Sequence, residues 1–185
     1  MGLWTYALAT ESKPTAITAT IQQATLAAAA ELITRTRTSG YGNTLALTDY
    51  HWGSNSNAGN QSLLLLIANR FQPDQPSVDA AVSNLHYLLG RNCFGVCWVT
   101  QLGHRPFQHP HHRPSAADNI VAPWPGLLSG GPNAFGGDAI ADALAKSPPM
   151  RMWLDDQRAY SMNEIAINWN APLVFLLAAA NSSRV

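Results

Sequence analysis

Apolar positions along this chain change their period several times, and the changes mark out helices separated by one long irregular stretch. From residue 15 to about 34, Ile17, Ile21, Ala24, Ala28 and Leu32 recur at helical spacing in an alanine-rich background. That spacing predicts an amphipathic helix, closed by Arg35 and Arg37 and ended at Ser39 and Gly40. Residues 41–60, YGNTLALTDYHWGSNSNAGN, are turn-rich and aromatic and predict a loop at a rim. Asn60 then leads into QSLLLLIANRF, whose unbroken apolar run at 63–67 predicts a helix buried on most sides. Pro73 and Pro76 mark a linker, and Ser77 predicts the N-cap of the next helix. Val78, Val82, Leu85 and Leu89 line one face of that helix, and Gly90 stops it.

From 91 to about 136 the periodicity is weak. Eight of the twelve prolines fall between Pro106 and Pro149. An irregular stretch of that length in a compact domain is either functional or disordered, and its Trp, His and Arg content predicts order and function. A short helix is predicted over 137–146. Another begins near Asn163 and runs through APLVFLLAAA, with Pro172 either restarting it in a first turn or kinking it. Only 96–100 has strand character. The fold class predicted is all-α, with about five helices of ten or more residues packed as antiparallel neighbours through short and long loops.

Composition narrows the function classes. A chain of 185 residues suits one domain. With 11 basic and 11 acidic residues it presents no net positive field for a nucleic acid. No run of 18 apolar residues predicts a membrane span. The start, MGLWTYALATESK, lacks the basic region of a signal peptide and reads as the inside of a structured region. Cys93 and Cys97 either share one helical turn or are separate buried thiols, and two sulfurs do not define a zinc site.

Two segments concentrate reactive side chains. Glu164 lies in WLDDQRAYSMNEIAINWNAP, between an aromatic loop and an apolar helix. A glutamic acid in apolar surroundings, here with Met162, Ile165 and Trp169 nearby, can protonate a glycosidic oxygen; it can equally decorate a helix start. Asp155 and Asp156 are the nearest carboxylates, open to orienting a base or substrate hydroxyl, or to being surface residues. Tyr160 can stack on a sugar ring or be half-buried. The second segment, GHRPFQHPHHRPSAAD, holds four of the six histidines. His111 and His112 are framed by Pro110 and Pro114, and Arg113 adds a forked donor. His109, His111 and His112 match no recognised zinc spacing, so no metal is expected there. Trp52 and Trp124, in Gly/Pro/Asn-rich loops, are each a sugar platform or a lid.

Together these segments resemble glycoside hydrolase family 9, the inverting cellulases built on an (α/α)6 barrel. One signature reads CWVTQLGHRPFQHPHHR, with His111 on the family's active-site histidine and Arg113 on its arginine. Cys97 departs from the small residue usual at its start. The other reads WLDDQRAYSMNEIAINWNA, with Asp155, Tyr160, Glu164, Ala166 and Asn170 on the family pattern and Glu164 on the proton donor. The resemblance runs from about 41 to 180. It implies an incomplete barrel, residues 1–185 forming the C-terminal portion of a catalytic domain. It implies hydrolysis of β-1,4-glucosidic bonds, Glu164 as acid, Asp155 and His111 supporting it, and Arg113, Tyr160, Trp52, His112 and Trp124 binding sugar. The second carboxyl of an inverting pair, about 6.5–9.5 Å away, has no counterpart motif here. Asp49, Asp118 and Asp138 are the loop aspartates left to substitute. A non-catalytic glucan-binding remnant and an exo-acting glucosaminidase or cellobiohydrolase are the alternatives. No cofactor is expected, although calcium occurs in the family, and a secreted bacterial parent is implied. Self-association through faces left open by a missing half is a further expectation.

Overall fold

The computed structural model describes residues 1–144 and 146–182. The described residues are helical, in the order α1 (Gly2–Leu8), α2 (Thr15–Thr38), α3 (Ser54–Phe71), α4 (Gln75–Leu88), α5 (Arg113–Ala117), α6 (Ala139–Ala143), α7 (Tyr160–Asn163) and α8 (Ile167–Ala180). Helix α3 is central: α2, α4 and α8 all pack on it. Only three residues join α3 to α4, so the two form an antiparallel hairpin. Four helices reach ten residues, one fewer than the pattern predicts. The predicted helix over 137–146 shrinks to Ala139–Ala143, because Asp138 caps its start and Leu144 is already extended; Ala145 lies outside the described residues.

Several boundaries move for a common reason, which is that polar side chains find distant partners. Helix α2 buries Ile21, Thr25, Ala29 and Leu32, one residue away from the predicted stripe at Ala24 and Ala28, while Ile17 is half-exposed. Thr25 tolerates burial because its hydroxyl donates to the Ile21 carbonyl and accepts from the Trp4 indole of α1. Helix α3 starts at Ser54, six residues before Asn60. Its polar first turn is buried: Asn55 donates to the Ser129 and Gly130 carbonyls and Ser56 to that of Gly53, while the Ser54 hydroxyl and the Asn55 amide oxygen have no partner among the described residues. Gly53 must be glycine, since its φ is +88° and a Cβ would stand 2.9 Å from the Trp169 ring. Helix α4 is capped by Asp74, not Ser77; the Asp74 carboxylate accepts from the Ser77 backbone N–H and hydroxyl.

Helix α8 runs through Pro172 unbroken, with neither a restart nor a first-turn proline. The helix starts at Ile167 because the chain before it is extended at Glu164 and Ala166. Pro172 packs where α3 has only Gly59, whose missing Cβ would lie 3.0 Å from the proline ring. The outer face of α8 leaves Ile167, Val174, Phe175 and Leu177 exposed.

The irregular stretch is ordered by burial. Trp98, Phe107 and Leu128 are fully buried from it, beside Tyr50, Tyr87, Leu88 and Met162. The strand-like residues 96–100 make two isolated bridges, Cys97 with Pro106 and Val99 with Leu128, rather than a strand. Cys93 and Cys97 lie outside the helices as free thiols, and burial pushes both pKa values up. No helix among the described residues is long and apolar enough to cross a membrane.

Candidate active site

Glu164 leaves the end of α7 in extended conformation (φ −60°, ψ 147°), which carries it out of the helix rather than along it. The turn behind it is anchored on both sides. Asn163 is fully buried; its amide donates to the Leu154 and Asp156 carbonyls, and its oxygen accepts from the Trp153 indole at 2.8 Å. The Met162 carbonyl accepts from Gly131 N–H and the Ser129 hydroxyl. Gly131, at φ +95°, can approach this closely only without a side chain, since a Cβ there would lie 2.5 Å from the Asn55 amide carbon.

Asp138 secures the other flank. It is 4% exposed, and one oxygen accepts from the backbone of Ile140 and Ala141 to cap α6. The other accepts from Ser161 N–H at 2.8 Å, between Tyr160 and Glu164. Burial pushes its pKa up, but the N–H donors of Ala141, Ser161 and Ile140 outweigh that and hold it below the ordinary carboxylate value. A lowered pKa means stability that is present above about pH 4 and lost as pH falls through the folded value. Asp138→Ala is expected to cost about 2–3 kcal/mol in urea unfolding at pH 7, and the penalty should shrink on acidification. Asp138 is therefore a brace; the sequence offered it only as a spare base.

The histidine segment meets this turn directly. His111 N–H donates to the Asn163 carbonyl at 2.8 Å, and His111 bridges Glu164 in parallel register. The rings of His111 and Tyr160 lie 5.7 Å apart, and that of Tyr160 lies 5.7 Å from Trp52. Trp52 in turn donates its indole N–H to Glu164 Oε2 at 3.0 Å. His111, Tyr160, Trp52 and Glu164 thus form one cluster, built from residues up to 112 positions apart.

Adjacent histidines hold opposite tautomers. His111 Nδ1 faces the Gln157 carbonyl at 3.0 Å; a carbonyl only accepts, so Nδ1 carries hydrogen. His112 Nδ1 receives the Ser115 backbone N–H and hydroxyl at the start of α5, so it is the acceptor and its hydrogen sits on Nε2. His112 packs edge-on to Trp124 at 5.3 Å, and Trp124 donates to Asp118 at 2.6 Å. This pair is separate from the Trp52–Tyr160 stack. Arg113 is exposed at the first position of α5 and makes no hydrogen bond or ion pair among the described residues.

Asp155 clasps the loop from beneath. Its two oxygens accept from the backbone of Gln108 and His109, both at 2.8 Å, and one lies 3.2 Å from His109 Nδ1. Asp156 pairs with Arg158, whose hydrogen bonds bring its pKa down to about 2. Of the aspartates left to act as a base, Asp49 accepts from Ala46 and Gln61, Asp118 from Ile120 and Trp124, and Asp138 as above. Each carboxylate is committed to holding local structure. His109, His111 and His112 reach different partners, and no group of three metal-ligating side chains occurs among the described residues.

Asn163 is a supporting residue that sequence reasoning did not single out, and Asp138 one that it offered only as a substitute base. The Asn163 side chain finds partners 7–34 positions away, and the Asp138 contact with Ser161 spans 23 positions, so no local spacing marks these contacts; only the Asp138 cap on Ile140 and Ala141 is local.

Comparison with known proteins places this geometry in a family. The chain is 37% identical over 179 residues to endoglucanase D of Acetivibrio thermocellus, covering 96% of this chain and 26% of that protein. It is 36% identical to a cellodextrinase of Butyrivibrio fibrisolvens, again over 96% of this chain and 33% of that protein. Among solved structures, GH family 9 endoglucanase J30 superposes with a TM-score of 0.91 at 36% identity, over 99% of this chain and 34% of that one. AaCel9A, solved in complex with cellobiose-like isofagomine, superposes at 0.90 with 35% identity, over 97% and 34%. The chain therefore spans about a quarter to a third of the length of these relatives, and its helices form part of the (α/α)6 barrel of those endoglucanases. The model of glycosyl hydrolase family 9 matches residues 2–177, all but the two ends, and the chain belongs to that family.

Proposed function

We propose that this chain forms the general-acid side of a cleft that hydrolyses β-1,4-glucan by inversion, corresponding to the C-terminal portion of the catalytic domain. The observation that carries the reading is the cluster in which Glu164 stands beside two aromatic rings and a histidine, on a turn braced from both flanks. Glu164 would protonate the departing glycosidic oxygen. Trp52 and Tyr160, 40% and 39% exposed, would offer ring faces to sugars. His111, with Nε2 left as an acceptor, would accept from a sugar hydroxyl. Arg113 would supply a further donor. Asp155 would act indirectly, by fixing the 108–109 backbone from which the histidines follow. His112 and Trp124 would extend the surface beyond the acid.

The test is binding of cellotetraose to the purified chain, followed by tryptophan emission and calorimetry. Saturable binding is expected. Tyr160→Ala should weaken it roughly fivefold, the equivalent of about 1 kcal/mol for one lost aromatic face. Equal affinity for cellotetraose and for an unrelated α-linked glucan would refute the substrate class.

A further inference from the structure

Trp52 has a ring suited to stacking, yet its polar edge is already engaged. The indole N–H reaches Glu164 Oε2 at 3.0 Å, although the ring is 40% exposed and water could satisfy the same donor. The ring is held in place from several sides. Tyr160 lies against it at 5.7 Å. Gly137 lies beside it, close enough that a Cβ there would make ordinary van der Waals contact with ring carbons at 3.5 Å. His51 Nδ1 ties the Trp52 carbonyl at 3.1 Å, and Gly53, at the N-cap position of α3, follows immediately.

We propose that Trp52 is a positioning residue for Glu164, acting through its N–H rather than its ring face. The inference rests on reading Glu164 as the acid. An indole N–H donates and never accepts. The oxygen that faces it must therefore remain an acceptor in both protonation states of the carboxyl. Oε2 keeps the indole, and the acid proton resides on Oε1, the oxygen left to meet a leaving group. A carboxyl free to turn would present its proton from either oxygen and in several rotamers. Holding one arrangement removes that loss of freedom from the proton-transfer step.

The experiment needs no sugar and no turnover. In the 185-residue chain with 15N-labelled tryptophan, the Trp52 indole signal is identified by its disappearance in Trp52→Phe; the other five of the six tryptophans report that the fold is intact. Glu164→Gln keeps the shape but offers a neutral acceptor, and charged acceptors bond about twice as strongly. The Trp52 signal is expected to move upfield in Glu164→Gln and further in Glu164→Ala. Its solvent exchange should accelerate by about tenfold in the alanine variant, the loss of one ordinary hydrogen bond. An unmoved Trp52 signal in Glu164→Gln, with the other five in place, overturns the proposal. Adding cellotetraose afterwards examines the glucan reading separately, because the indole result stands or falls without it.

Discussion

Trp98→Ala is expected to destabilise the chain by about 3–5 kcal/mol, the usual cost of emptying a large aromatic site in a core. Trp98 is fully buried and meets Trp153 edge-on at 4.7 Å and Phe94 at 5.9 Å, while Phe94 and Trp153 lie 5.2 Å apart. Removing one member leaves the other two facing a void. The loss also reaches the site. Trp153 donates to the Asn163 oxygen at 2.8 Å, and Asn163 immediately precedes Glu164. Trp98→Phe should cost much less, because it keeps an edge-to-face contact and removes an indole N–H that has no partner among the described residues. Urea unfolding of the two variants checks this. A phenylalanine variant as unstable as the alanine one would show that the retained ring and its edge-to-face contact contribute nothing, and would overturn this reading.

The second large effect concerns turnover. The 185-residue chain alone is expected to release reducing sugar from carboxymethylcellulose at a rate near blank, and Glu164→Gln should change that rate little. A positioned general acid contributes about 10²–10⁴-fold, whereas enzymes reach about 10⁶–10¹⁷-fold. Inversion also needs a carboxylate that activates water on the opposite face. Among the described residues, Asp49, Asp118 and Asp138 are each bound to backbone or side-chain donors, and Asp155 and Asp156 hold the segments around Glu164. Taking any of them as base would release a structural bond. Robust hydrolysis abolished by Glu164→Gln would reveal a base among these residues after all. Binding of cellotetraose without hydrolysis is the expected pairing of results.

The architecture was legible wherever apolar residues repeat at helical spacing. Leu63 and Leu65 of α3, and Val78 and Leu85 of α4, bury as their pattern implies, because neighbouring helices leave no alternative face for them, whereas Val82 and Leu89 of the predicted stripe are only part-buried and Leu88 takes the core position. The pattern failed where burial was polar. Ser54, Asn55 and Ser56 resemble a loop in isolation, and they form the first turn of α3 where Gly130 and Ser129 accept hydrogen bonds from Asn55 and Gly53 accepts from Ser56. The helix expected from Asn163 onward divides at Glu164 for a similar reason: His111 pairs with that backbone and pulls it into extended form.

By itself, the sequence determined the family, the all-α class and the identity of the residues gathered around Glu164, since motif residues and apolar periods are local properties of the chain. Only the tertiary structure decided what each of them does. Trp52 became a donor to Glu164, Asp155 a clasp on the histidine loop, and Asp138 a brace under Ser161. Arg113 was left without a protein partner among the described residues, and Trp124 was drawn to His112 and Asp118, away from the stack at Glu164. The physical reason is the range of the interaction. A hydrogen bond spans about 3 Å in space whatever the separation in sequence, so its partner is chosen by the packing of helices and loops, and no spacing of residues along the chain encodes it.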